Sequence, residues 1–169
     1  MDRSRRALAL LSGSAALCLG LAGAAPAGAA PAAAAAPARC HSTQLAGTHP
    51  FSEGAAGSVI AHILLTDTSG TSCTVHGYVG ALLFGRAGTP LPTTVTREGG
   101  EDPTVLLAPG ASATALIRYE NPDNVPGCRP LRSHWLLVTP PSERLPLLVH
   151  SPIGLAPCHG ALFTVPVRP

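Results

Sequence analysis

An apolar run from Val59 to Leu65 feeds a polar turn, Thr66-Asp67-Thr68-Ser69-Gly70, and the chain re-emerges as Cys73-Thr74-Val75-His76-Gly77-Tyr78. Val59, Ala61, Ile63 and Leu65 fall on one face of an alternating strand, with Ser58, His62 and Thr66 on the other. Ile60 and Leu64 make the second face partly apolar as well, as expected of a buried, central strand. Gly70 supplies the turn, and the segment Cys73–His76 reads as the return strand. Its cysteine needs a partner. This stretch predicts a small, exported, disulfide-stapled β domain, and it signals no chemistry.

Export is argued from the N-terminus. Asp2-Arg3-Ser4-Arg5-Arg6 precedes an Ala/Leu/Gly run from Ala7 to about Ala25, and Ala25-Pro26-Ala27-Gly28-Ala29-Ala30 supplies small residues for cleavage. That is the layout of a secretory signal peptide over residues 1–29. The apolar run is diluted by Gly and Ser and only just long enough to be a permanent anchor, so no stable membrane insertion is expected after cleavage. Ser4-Arg5-Arg6-Ala7-Leu8 also resembles a twin-arginine export motif, although Ala9 follows where a second large apolar residue is usual. Leu17 stands where lipoprotein processing wants a small residue, so Cys18 reads as part of the leader's apolar run. Residues 30–39 read as an Ala/Pro-rich tether with nothing to pack, and residues 40–169 as the folded domain.

Beyond Cys18 the chain holds Cys40, Cys73, Cys128 and Cys158. Four cysteines in an exported domain argue for two disulfides, with three connectivities open. Sequential pairing makes two loops of similar length, each able to stabilise by roughly 3–4 kcal/mol in the chain-entropy model. His41 and His159 follow cysteines and suggest a metal site, yet no C-x-x-C or H-x-x-x-H spacing accompanies them. A blue-copper site is disfavoured because the chain beyond its leader has no Met for the axial position. No cofactor is expected.

All eleven basic residues are Arg, which resembles biased coding as much as function. Residues 1–29 carry Arg3, Arg5 and Arg6 against Asp2, and eight Arg balance eight acids in the rest. A neutral domain lacks the basic stripe that nucleic acid requires and the polybasic patch that anionic lipid requires.

Taken in order, Cys40 to Leu45 reads as a short opening strand, followed by a loop through Pro50, Gly54 and Gly57. After the central pair come a strand from Val79 to Phe84 and a long hairpin or exposed loop from Arg86 to Pro103, with a weak strand near Thr94-Val95. Thr104–Leu107 follows. Pro109-Gly110 then makes a type II turn, Pro fixing the first corner and Gly accepting the positive φ of the second. From Ala111 the alternation is clean, with Ala111, Ala113, Ala115, Ile117 and Tyr119 inward and Ser112, Thr114, Arg118 and Glu120 outward. Asn121–Pro130 is a loop carrying Cys128. Trp135–Val138, Leu147–Val149 and Ala161–Val165 supply the last strands, with Cys158 between the final two. Seven or eight short strands separated by regular turn signals point to an all-β antiparallel sandwich.

These features together resemble an exported family of high-GC Gram-positive bacteria, the "domain of unknown function 4232". Its features are a first cysteine and an apolar strand ending in a polar turn, then Cys, Leu or Val, and Gly-Tyr-Pro. A "leu-x-pro-gly" strand entrance, two later cysteines and a Pro-Pro strand exit complete the pattern. Here they fall on Cys40, Leu64–Gly70, Cys73–Tyr78, Leu107–Ala113, Cys128, Cys158 and Val138-Thr139-Pro140-Pro141, so the resemblance spans Cys40 to Val167. Asp67 stands where Asn is usual, and Val79 where Pro is usual. The resemblance implies an immunoglobulin-like sandwich and sequential disulfides, and no activity.

Catalytic kits are thin. No G-x-S-x-G elbow occurs beyond the leader. His62, His76, His134 and His150 could be combined with serines into a triad, as in many β domains of this composition. Glu98, Glu101 and Asp102 could supply a carboxylate pair, but they sit in a Gly-rich stretch that reads as a solvated loop. His62 and His76 are expected on neighbouring strands facing outward, which raises a pH-switch or metal idea. Tyr78, Tyr119 and Trp135 read as core packing. The leading expectation is a non-enzymatic module of the cell envelope that binds an extracellular or envelope partner through sandwich loops. Arg97, Glu98, Asp102, Asn124 and Arg129 are the loop candidates. The runner-up is an extracytoplasmic metal-handling protein using His62, His76 or His159, and the third reading is a small hydrolase.

Overall fold

The computed structural model describes residues 36–169. The expected signal peptide, its export motif, Cys18 and most of the expected tether lie outside the described residues. Ten strands occur: β1 (Leu45–Ala55), β2 (Ser58–Asp67), β3 (Cys73–Val75), β4 (Gly80–Phe84), β5 (Thr94–Arg97), β6 (Val105–Leu107), β7 (Ser112–Glu120), β8 (Trp135–Thr139), β9 (Leu147–His150) and β10 (Ala161–Thr164). They form a five-stranded sheet β1-β2-β7-β10-β5, a three-stranded sheet β4-β8-β9 and a two-stranded ribbon β3-β6. The fold is all-β, as expected, but the seven or eight strands anticipated are ten in three sheets. Strands of three residues, such as β3 and β6, split off as a ribbon of their own. Among the described residues no helix is long and apolar enough to cross a membrane.

The five-stranded sheet rests on β2 and β7, which pair antiparallel from Ser58↔Glu120 to Thr66↔Ser112. Ala61, Ile63 and Leu65 of β2 and Ala113, Ala115 and Ile117 of β7 are fully buried on one face. Small alanines opposite branched side chains let the inner face interdigitate with the other sheets. Leu83 of β4, Leu136 and Val138 of β8, Val149 of β9, Leu107 of β6 and Leu162 of β10 complete one continuous core.

Four expectations are overturned here. The opening strand expected over Cys40–Leu45 is a 3-10 turn at Ser42–Gln44, and β1 begins only at Leu45. The loop through Pro50, Gly54 and Gly57 is instead the body and tip of the long strand β1. Pro50 falls within the register shift between Thr48 and Phe51, and an edge strand tolerates a proline at a bulge. The hairpin turns only at Ala56-Gly57, both with positive φ (39° and 88°), as a two-residue primed turn requires. Cys73–Val75 is not the ladder partner of β2, because it crosses to pair with β6. The weak strand near Thr94-Val95 is real, but it runs parallel to β10 rather than within a local hairpin. The chain joins the fold before Cys40, since Thr74 N–H donates to the Ala38 carbonyl at 2.9 Å.

Side-chain bonds close the flanks between sheets. Leu83 N–H donates to Thr93 Oγ1 at 3.1 Å beside β5. On the other flank the His49 ring of β1 lies 2.7 Å from Ser151 Oγ, just beyond β9.

Candidate functional site

Both disulfides are sequential: Cys40–Cys73 with Cα atoms 4.9 Å apart and Cys128–Cys158 with Cα atoms 5.8 Å apart. The first pins the opening segment to β3; the second ties the loop after β7 to the turn before β10. Asp67, fully buried beside the first bridge, accepts a hydrogen bond from Ser69 N–H at 2.8 Å. This organises the polar turn as an Asx-turn, in which a short acidic side chain replaces a backbone acceptor.

The loop candidates do not converge on one site. Arg97 ends β5, and its guanidinium lies 5.5 Å from the Tyr78 ring centroid. Glu98 is paired with Arg118 of β7, whose Nε donates to Glu98 Oε2 at 3.2 Å and whose Nη2 donates to the other oxygen. Arg118 also donates to Ser58 Oγ at 3.2 Å and stacks over Phe163 at 4.4 Å. Asp102 lies 3.4 Å from the His76 ring. Asn124 sits elsewhere, donating to the Gly57 carbonyl at 3.3 Å and so holding the β1–β2 turn. Arg129 and His159 flank a shallow cleft over Leu83, Leu91 and Leu131, beside the second disulfide. Most of these side chains are thus engaged in contacts within the chain.

The histidines are dispersed too. His62 is on β2, whereas His76 follows β3 in the separate ribbon, so the two are not on neighbouring strands. The His62 ring stacks on Phe51 at 4.2 Å and lies 2.9 Å from Glu53 Oε1. Among the described residues no group of three or more His, Cys, Asp or Glu side chains is placed to hold a metal. His134 is half-buried ahead of β8, and His150 tilts against Trp135 at 4.7 Å.

Two polar clusters had no sequence signal. His49 is buried, with Nδ1 at 2.7 Å from Ser151 Oγ and Nε2 at 3.0 Å from Ser52 Oγ. Burial pushes its pKa below the ordinary histidine value, partly offset by the Phe51 backbone. Both ring nitrogens face hydroxyls and no carboxylate, so the constellation is a structural tie without a triad's third member. Glu143, between β8 and β9, accepts from Ser42 N–H at 3.0 Å and lies 3.3 Å from the His41 ring. The Ser42 backbone bond leads in holding its carboxyl below the usual range. This staples the segment after Cys40 to the far sheet.

The aromatics divide. Tyr119 is in the core, and burial raises its pKa. Tyr78 is half-buried under Arg97. Trp135 is also half-buried, because Leu136 and Val138 take the inward positions of β8. Its indole helps line a cleft of ≈ 220 Å³ with Phe84, Gly88, Leu137 and Leu148. The core expectation for Trp135 therefore does not hold: strand parity turns it outward.

No curated protein and no solved structure matches the chain. A family model described as "Domain of unknown function (DUF4232)" matches residues 40–168, which includes all ten strands and both disulfides. The chain belongs to that family.

Proposed function

We propose that this protein is an extracytoplasmic recognition module of the cell envelope, an immunoglobulin-like sandwich that acts by binding rather than by catalysis. The observation that carries the reading is the pair of disulfides closing separations of 33 and 30 residues. Structural disulfides of this kind persist in oxidising compartments and are rare in reducing ones. The sandwich reading is supported by a five-stranded and a three-stranded sheet contributing to one core. Binding is favoured over chemistry because the titratable side chains are scattered and tied to neighbours. Net neutrality beyond the leader argues against nucleic acid and anionic lipid as partners.

Cell fractionation followed by capture from envelope extract with the oxidised protein tests the reading. Recovery outside the cytoplasm, and capture of an envelope component that is lost on reduction, is the expected result. Recovery from the cytoplasm with free thiols would overturn it. Calorimetric titration with copper and zinc addresses the metal-handling reading: binding tighter than ~1 µM would replace the present proposal. Labelling by an activity-based serine probe would replace it with the hydrolase.

A further inference from the structure

The two disulfides stand in different surroundings. Cys40 and Cys73 are each 1% exposed. Asp67 Oδ2 lies 3.7 Å from Cys73 Sγ, and a bridged sulfur carries no hydrogen to offer it. A thiolate released at Cys73 would face the lone pairs of that buried oxygen. Cys128 by contrast stays partly exposed, with Cys158 7% exposed behind it. Arg129 follows Cys128 and His159 follows Cys158, and both are exposed. Together they line a cleft of ≈ 100 Å³ with Leu83, Leu91 and Leu131.

The two ends of the second bridge are also held differently. Its loop is fixed at Asn121 and Asn124, which bond to the Gly57 carbonyl, and at Ser133, whose N–H donates to the Leu155 carbonyl. Between Val125 and Leu131 the described residues make no hydrogen bond to the rest of the fold; Cys128 N–H donates within the loop, to the Val125 carbonyl at 3.1 Å. Cys158 sits on a clamped turn, where a Cβ on Gly160 would stand 1.9 Å from the Pro92 carbonyl oxygen.

We propose that Cys128–Cys158 is a thiol-exchange site that takes a small anionic thiol as a mixed disulfide on Cys128, while Cys40–Cys73 is inert. Exposed bridges beside cationic groups are the labile ones, because the leaving sulfur departs as a thiolate. The incoming thiolate forms a bond to Cys128 Sγ, the bond to Cys158 breaks, and the electron pair leaves on Cys158 Sγ, which takes a proton from water. A second thiolate attacks the incoming sulfur and releases Cys128, so two electrons and two protons end on the cysteine pair and the small thiol leaves as its own disulfide. Attack falls on Cys128 because it is the more exposed of the two. Arg129 draws an anionic thiol to the cleft. The cleft is far below the ~300–1,000 Å³ of typical ligand sites, so it fits a thiol of a few carbons. Once released, Cys128 has little to hold it near Cys158, which lowers the local concentration for reclosure and lets the mixed disulfide persist. Exchange thereby alters the loop that carries Asn124 and Arg129 and leaves the core closed. In an oxidising medium the bridge re-forms when the thiol is removed.

Timed incubation of the native, fully oxidised protein with mercaptoacetate, then iodoacetamide and mass mapping without reduction, tests this. The expected product carries mercaptoacetate on Cys128 and the alkyl group on Cys158, with Cys40–Cys73 opening at least ~tenfold more slowly. Arg129→Gln, at an exposed position, should lower the rate with mercaptoacetate by ~twofold or more relative to cysteamine, a cationic thiol of similar size. Opening of both bridges at one rate, opening of Cys40–Cys73 first, or an adduct on Cys158 overturns the proposal. So does a second bridge that resists the thiol until denaturant is added, or a rate ratio that Arg129→Gln leaves unchanged.

Discussion

His49 binds two hydroxyls inside the protein, and its burial has a pH consequence. The unfolded chain takes up this proton near the ordinary pKa of ~6.5, and the folded chain only at lower pH. Stability from neutral His49 is complete above ~6.5 and declines as pH falls below it, levelling off once the folded pKa is passed. His49→Gln keeps hydrogen-bonding capacity without titrating. Its thermal midpoint should fall less than that of the wild type between about pH 7 and pH 5; parallel curves would contradict the assignment. Ala56 gives a second residue-scale prediction. Its φ of 39° is a conformation that L side chains other than Asn and Asp avoid. Asn-Gly is the favoured pair for this turn, so Ala56→Asn should raise stability by about 0.5–1 kcal/mol in denaturant titration. Neither residue was legible beforehand. His49 lies between Thr48 and Pro50, where the proline masks the strand parity that turns the imidazole inward. Arg118 faces outward, as the alternation of β7 predicts, but sequence spacing has no means of bringing Glu98 to it across β10.

At the scale of elements, legibility followed locality. β7 alternates cleanly because one face is core and the other half-exposed, so Ala113, Ala115, Ile117 and Tyr119 were readable as the inner set. β2 was readable for the same reason. β1 was not, because Pro50 and Gly54 carry turn chemistry that an edge strand absorbs at a bulge. The parallel β5–β10 pairing was invisible, as it joins segments far apart in sequence with no turn between them to announce it. Glycines within β1 differ in what they permit. A Cβ on Gly47 would stand 2.7 Å from Val149 Cγ2, whereas one on Gly54 would meet nothing within 4 Å. Gly47→Ala should therefore destabilise by about 1–3 kcal/mol through overpacking between β1 and β9. Gly54→Ala should be neutral or stabilising by about 0.5–1 kcal/mol. Equal effects in chemical denaturation would contradict the close approach. The second disulfide gives a further test. Replacing Cys128 and Cys158 together with Ser should cost about 3–4 kcal/mol by loop-closure entropy, read as a lowered unfolding midpoint.

For the molecule as a whole, the pattern of short strands conveyed the β class and the order of elements. It did not convey the division into three sheets, because sheet membership depends on where strands cross rather than on their composition. The outward Trp135 is the clearest instance: its residue type suggested a core, while strand parity, with Leu136 and Val138 inward, turns it outward and leaves it half-buried. What holds the three sheets as one body is a shared core with two covalent links at its margins. Such links are typical of oxidising compartments and are compatible with an extracellular location. Peptide mapping without reduction, on protein recovered from the exported fraction of producing cells, tests both at once. The account predicts Cys40 linked to Cys73 and Cys128 linked to Cys158; free thiols at these four positions, or a crossed pairing, would contradict it.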